Sequence, residues 1–156
     1  QGVSSAASDV YKRQVPISPR QRMAVIAAPS YFVHHTIPAV PAELAQHNCI
    51  GLRLPTHGGL LPWDFEKDGR EQKVRVDGQW TFNGSSAMLR AALAGAGLAF
   101  LPETMVLDHI AAGRLRRVLD DWCDPFDGYY AYYPSRRQSS AALKVVIDAL
   151  RHDLVR

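Results

Sequence analysis

Charge of one sign, cysteine and long apolar runs are all scarce in this sequence, and each scarcity removes a class of function. Lysine and arginine number 18 against 15 aspartates and glutamates, a net charge of +3 with a pI near 9.0. So small a basic excess does not by itself argue for a nucleic-acid partner. Cys49 and Cys123 are the two cysteines, which form no disulfide framework and suit a reducing compartment. No apolar run approaches the roughly 20 residues of a membrane span, since Arg90 interrupts the longest. The first 14 residues carry no apolar signal-peptide core, so a cytoplasmic protein with no membrane partner is expected. Internal repeats and low-complexity tracts are missing too.

Catalytic and cofactor signatures are equally thin. His57-Gly58-Gly59 has the look of an oxyanion loop, but no G-x-S-x-G elbow accompanies it. His34, His35, His47 and Cys49 fit no zinc-ligand spacing. Gly95-Ala96-Gly97 is too short for a dinucleotide fingerprint and stands at the end of a helical stretch, where glycine more simply stops the helix. Arg114, Arg116, Arg117, Arg136 and Arg137 carry the basic bias without an aromatic platform or recognition helix, and read as a solvated face. No enzyme, metal site or cofactor is expected.

What is present is ordinary globular material: 156 residues, 47% hydrophobic and 21% charged, enough for one domain with a real core. The opening QGVSSAASDVYKRQ shows no period and resembles translated adaptor sequence. Residues 1–14 are therefore expected to be a non-native leader, with the fold starting near Val15.

Arg22–Ala28 reads as a buried strand stopped by Pro29. A helical turn follows in PSYFVHH, then a short helix opened by Pro41 with Glu43 in its first turn. CIGLRL is a strand leading into the glycine-rich PTHGGL. Trp63 to Phe82 reads as a β-meander with turns at Asp68-Gly69 and Asp77-Gly78.

Next comes FNGSSAMLRAALAGAGLAFLPE: a helix capped by Ser85 or Ser86 and running to about Gly95, a strand from Gly97 to Leu101, and a further helix from Pro102-Glu103 to Gly113. RLRRVL and YYAYYP are strands. Leu143, Val146, Ile147, Leu150 and Leu154 form one apolar stripe on a terminal helix. Short strands alternating with helices make an α/β fold with a mixed sheet.

The ordered series QRMAVIAAPSYF, PAELAQHNCIGLRLPTHGGLLPWDFEKDGREQKVRVDG, GAGLAFLPETMV, AAGRLRRVL and YYPSRRQSSAALKVVIDALR resembles the effector-binding region of LysR-type transcriptional regulators, from about Val15 to Arg151. The resemblance implies a periplasmic-binding-protein-like (type 2) fold, in which two α/β lobes hold a small-molecule effector between them. It assigns residues 15–28 to a first crossing strand, 29–128 to the second lobe, and 129–156 to a return strand and C-terminal helix of the first lobe. RMAVIAA and YYAYY are then the crossing strands. The winged helix-turn-helix, the linker helix and most of the first lobe are absent from these residues. DNA is accordingly expected as a partner only through that helix-turn-helix, and homo-oligomers only of the intact protein. A periplasmic-type solute receptor for transport shares the fold and is the alternative; a small hydrolase built on His57 is a third reading.

The helix at Ser85 carries the sharpest site expectation. A helix N-terminus offers unpaired N–H groups and partial positive charge to an anion. Asn83, Ser85 and Ser86 add donors without fixed charge, and in the resembled family this segment faces the cleft, so all three are expected effector contacts. By the same resemblance Ser30, between Pro29 and Tyr31, begins near the cleft mouth. Phe100 and Pro102 end the following strand either as an apolar cleft wall or as core. Trp63 either covers an aromatic effector or lies buried on the meander.

Overall fold

The structure, a computed structural model, describes residues 12–56, 58–134 and 141–153. Along the chain run β1 (Lys12–Pro16), β2 (Met23–Ala27), β3 (Gly51–Leu52), β4 (Trp63–Lys67), β5 (Arg70–Val74), β6 (Thr81–Phe82) and α1 (Ser85–Leu93). Then come β7 (Ala99–Pro102), α2 (Leu107–Ala111), β8 (Arg116–Val118), β9 (Tyr130–Pro134) and α3 (Ala141–Asp153). Short 3-10 turns cover Tyr31–Val33, Pro41–Gln46, Glu103–Met105 and Asp120–Trp122. The chain divides into two compact units: Arg22–Pro125, and the described residues of Gln1–Gln21 with Phe126–Arg156.

In the Arg22–Pro125 unit, β2 is apolar at every position from Ala24 to Ala27 and needs cover on both faces. It lies between β7 and β8 and is antiparallel to both, with Val25 opposite Phe100 on one side and Val118 on the other. The two-residue strand period then divides the core. Val25 and Ala27 join Tyr31, Trp63, Phe65 and Leu98, while Ala24 and Ile26 join Ile50, Met88, Ala92 and Leu101. Met88 and Ala92, four apart on α1, press that helix against the second cluster. Gly95 (φ +79°) ends it as expected.

The hairpin β4–β5 turns at Asp68 and Gly69, both at positive φ (53° and 73°), the conformation this dipeptide favours. The expected meander stops there. β6 does not pair with β5 but runs parallel to β3, and Asp77-Gly78 makes no hairpin. Gly78 instead lets two backbones meet: a Cβ there would stand 2.1 Å from the Cys49 carbonyl oxygen. The helix expected from Pro102 to Gly113 is split into the 103–105 turn and α2.

Alternating ion pairs brace one corner of this unit. The Arg117 guanidinium meets Glu103 and, at 3.0 Å, Asp120; Arg22 meets Asp120 at 3.0 Å and donates to the Cys123 carbonyl at 2.6 Å.

In the other unit, β1 and β9 pair antiparallel from Lys12–Pro134 to Pro16–Tyr130. Gln21 and Phe126 exchange backbone hydrogen bonds at 2.9 Å, and the Tyr129 amide donates to Ser18 Oγ at 2.7 Å. Arg151 of α3 donates from Nε to the Pro16 carbonyl at 3.0 Å.

Two expectations differ from this pairing. Residues 12–14, set aside with the leader, form part of β1, and β9 pairs with β1 whereas β2 is the middle strand of its own unit's sheet. The stripe on α3 is present, but among its described residues only Ile147 is buried; Leu143 is half-buried and Val146 and Leu150 are exposed. Residues 1–11, His57, Arg136, Arg137 and Leu154 lie outside the described residues. No helix among the described residues is long and apolar enough to cross a membrane.

Candidate functional site

The parallel pair β3–β6 sets up the site. Leu52 stands opposite Phe82, and the Arg53 amide donates to the Phe82 carbonyl at 2.8 Å, so both strands end together and the chain turns from β6 directly into α1. Ligands in α/β folds collect beyond the carboxyl ends of such strands. Gly84, in extended backbone (φ −161°), occupies the N-cap position, and the Met88 amide closes the first turn on its carbonyl at 3.4 Å. The expected serine cap is therefore corrected: Ser85 and Ser86 are the first two helical residues, and no side chain caps α1. Fixed extended geometry at the glycine sets the helix start without a hydroxyl.

The consequence is an open helix terminus. The Ser85, Ser86 and Ala87 amides have no acceptor within the helix, and a methyl on Gly84 would meet nothing within 4 Å. Asn83 and Ser86 are exposed and Ser85 half-buried. Arg53 is exposed at the same strand end and makes no ion pair among the described residues. Sequence reading overlooked it, because one arginine among 18 cationic side chains carries no local signal until the β3–β6 register is known. Trp80 was overlooked likewise; it is 51% exposed and stacks on Phe82 at 6.4 Å with planes 7° apart.

The remaining expected residues scatter. A Cβ on Gly95 would lie 2.8 Å from Ser30 Oγ, so Ser30 sits at the C-terminal end of α1. At 1.5 Å per residue that is about 15 Å from Ser85, and Ser30 does not join Asn83, Ser85 and Ser86. Phe100 stacks on Trp63 at 5.4 Å and leans on Phe65 at 5.3 Å, which places it and the buried Trp63 against the core. Pro102, half-buried, ends β7 opposite Met23.

Titratable side chains offer little chemistry. Burial, and then the Asp77 charge, pushes the Cys49 thiol up to about 12. Burial pushes Cys123 up to about 11 against the opposing pull of Arg22. Neither is a thiolate at neutral pH. No group of three metal-ligating side chains occurs among the described residues.

A family model described as the LysR substrate binding domain matches residues 13–155. The chain belongs to that family. A Pseudomonas aeruginosa protein named "Putative transcriptional regulator" is 54% identical to it over 138 residues, 88% of this chain and 45% of that protein. The HTH-type transcriptional regulator PgrR of Escherichia coli is 37% identical over 138 residues, 88% of this chain and 46% of that one. This chain thus spans about half the length of the relatives it matches. The regulatory domain of AphB from Vibrio vulnificus superposes with a TM-score of 0.74 at 24% identity, over 90% of this chain and 69% of that one. That likeness carries the fold, the expected α/β, periplasmic-binding-protein-like (type 2) architecture, and the family model carries the LysR substrate-binding assignment. Both relatives are named as transcriptional regulators, which does not favour the transport-receptor alternative.

Proposed function

We propose that this LysR substrate-binding domain holds a small anionic effector at the start of α1, within a cytoplasmic DNA-binding regulator. The supporting observation is that one strand end brings together the first three helix amides, Ser85, Ser86, Asn83 and Arg53, whose cation has no ion-pair partner among the described residues. A carboxylate placed there gains charge-assisted hydrogen bonds from donors that nothing else in the described chain uses. Pro102, at the same end of its strand as the start of α1, supplies apolar wall. Ser30 and Phe100 take no part.

In the intact regulator the Arg22–Pro125 unit serves as one lobe and residues of the other unit belong to the second. An effector that binds one arrangement of lobes more tightly shifts the population toward it, by no more than that difference in affinity. The homo-oligomer passes the shift to its DNA-binding domains. A screen of small carboxylates by thermal shift, followed by calorimetry, tests the site. Ser85→Ala, Asn83→Ala and Arg53→Ala should each remove about 1.5–3 kcal/mol, a ten- to hundredfold loss of affinity, with unfolding midpoints unchanged. Unaltered affinity in all three variants would sink the site.

A further inference from the structure

Three rings interlock beneath the far end of α1. Tyr31 and His47 are buried, at 5% and 8% exposure. The Tyr31 hydroxyl accepts the Asn48 amide proton at 3.1 Å and is hydrogen-bonded to His47 Nδ1 at 3.1 Å. The His35 ring lies flat on Tyr31, centroids 4.1 Å apart and planes 4° apart, with Nδ1 donating to the Tyr31 carbonyl at 2.9 Å. His35 and His47 stand 6.2 Å apart.

Asn48 carries this arrangement outward. Its Nδ2 donates to the Ala96 carbonyl at 2.6 Å, its Oδ1 accepts the Gln79 amide at 2.8 Å, and its carbonyl accepts the Leu98 amide at 3.0 Å. One phenol hydroxyl therefore anchors the residue that holds together the exit of α1, the approach to β6 and the approach to β7.

We propose that His35, Tyr31 and His47 form a proton-operated latch. With His47 neutral, Tyr31 fastens the 31–33 turn to Asn48; protonation of His47 releases it. Imidazole Nδ1 accepts a hydrogen bond only while it carries no proton. Once protonated it points a donor at the hydroxyl, whose own proton loses this acceptor in a buried setting while the new charge sits beside His35. The facing groups are few. His35 and Tyr31 lie on the 31–33 side, Glu43 on the 41–46 turn, and Cys49, neutral and itself acted on by Asp77, one residue beyond Asn48. Glu43 favours the cation, but its carboxylate already accepts the Ala39 amide at 2.7 Å.

Burial first, and then His35, hold His47 below its ordinary value, with Glu43 pulling the other way. A group whose folded pKa is depressed binds protons better when unfolded. The latch therefore contributes fully above about pH 6.5 and drains as pH falls from there toward the folded midpoint. This inference stands apart from the effector site, and its test needs no ligand.

In the full 156-residue chain, NMR follows the His47 ring and the exchange of the Asn48 amide from about pH 5 to 8. His47 should titrate below about 6.5, and Asn48 protection, corrected for intrinsic rate, should fall at least about tenfold in step with it. His35→Gln should raise the His47 midpoint. Tyr31→Phe should strip Asn48 of protection at neutral pH and abolish the step; if that variant does not fold, the native titration and His35→Gln decide. A His47 midpoint at or above its unfolded value, or Asn48 protection that stays level through the titration, overturns the latch.

Discussion

The two units differ in how their apolar residues are satisfied. Arg22–Pro125 covers both faces of its central sheet from within: every position of β2 after Met23 is buried, and α1 closes one cluster while Trp63, Phe65 and Phe100 close the other. The second unit has an equally clear apolar pattern on α3, but among its described residues only Ile147 is buried, with Leu143 half-buried, Val146 54% and Leu150 40% exposed. Patterning writes a face; whether it is covered depends on which other elements the chain supplies. Apolar surface contributes about 25 cal/mol per Å² only once it leaves water, so the two units draw on quite different reserves.

The sharpest way to break that comparison is Phe65→Ala. Removing a ring packed against Trp63 and Phe100 should cost about 3–5 kcal/mol, read as a fall in the denaturation midpoint and lost amide protection in β2 and β7. A cost under about 1 kcal/mol would mean the core is not closed as described.

Gly128→Ala probes the other unit, since its Cβ would stand 2.1 Å from the Pro19 carbonyl oxygen and 2.3 Å from Ser18 Oγ. About 2–3 kcal/mol is expected, with loss of amide protection in β1 and β9; no loss would show that this unit is looser than its hydrogen bonds indicate.

Glu103→Gln takes the shared carboxylate from Arg117 and Arg22, and about 1.5–3 kcal/mol should follow, read by denaturation at moderate salt. Val146→Ala should change stability by less than about 0.5 kcal/mol. A larger penalty would mean this face of α3 is covered in solution, and the contrast between the units would vanish.

Local chemistry was legible in the sequence and long-range approach was not. Asp68-Gly69 announced its hairpin because positive φ at both residues is a property of the dipeptide itself. Asp77-Gly78 carries the same letters, yet its glycine serves Cys49, nearly thirty residues earlier, and no window around it shows that. The start of α1 was placed within a residue or two, and its cap was assigned to Ser85 or Ser86, whereas extended Gly84 holds that position. Asn83, Ser85 and Ser86 stand together because they are neighbours in sequence. Arg53 joins them only through parallel pairing of β3 with β6, and Ser30 leaves them because antiparallel β2 carries it to the opposite end of α1.

The three tryptophans give this chain a set of optical reporters. Trp63 is buried among aromatic rings, Trp122 lies under the Lys67 ammonium 5.0 Å from its ring centre, and Trp80 stands half in water beside the opening of α1. Emission from Trp80 should lie to the red and yield to a dissolved quencher that leaves Trp63 untouched. Binding at the proposed site near Arg53 can therefore be tested by fluorescence, without a label and without knowing the effector's name.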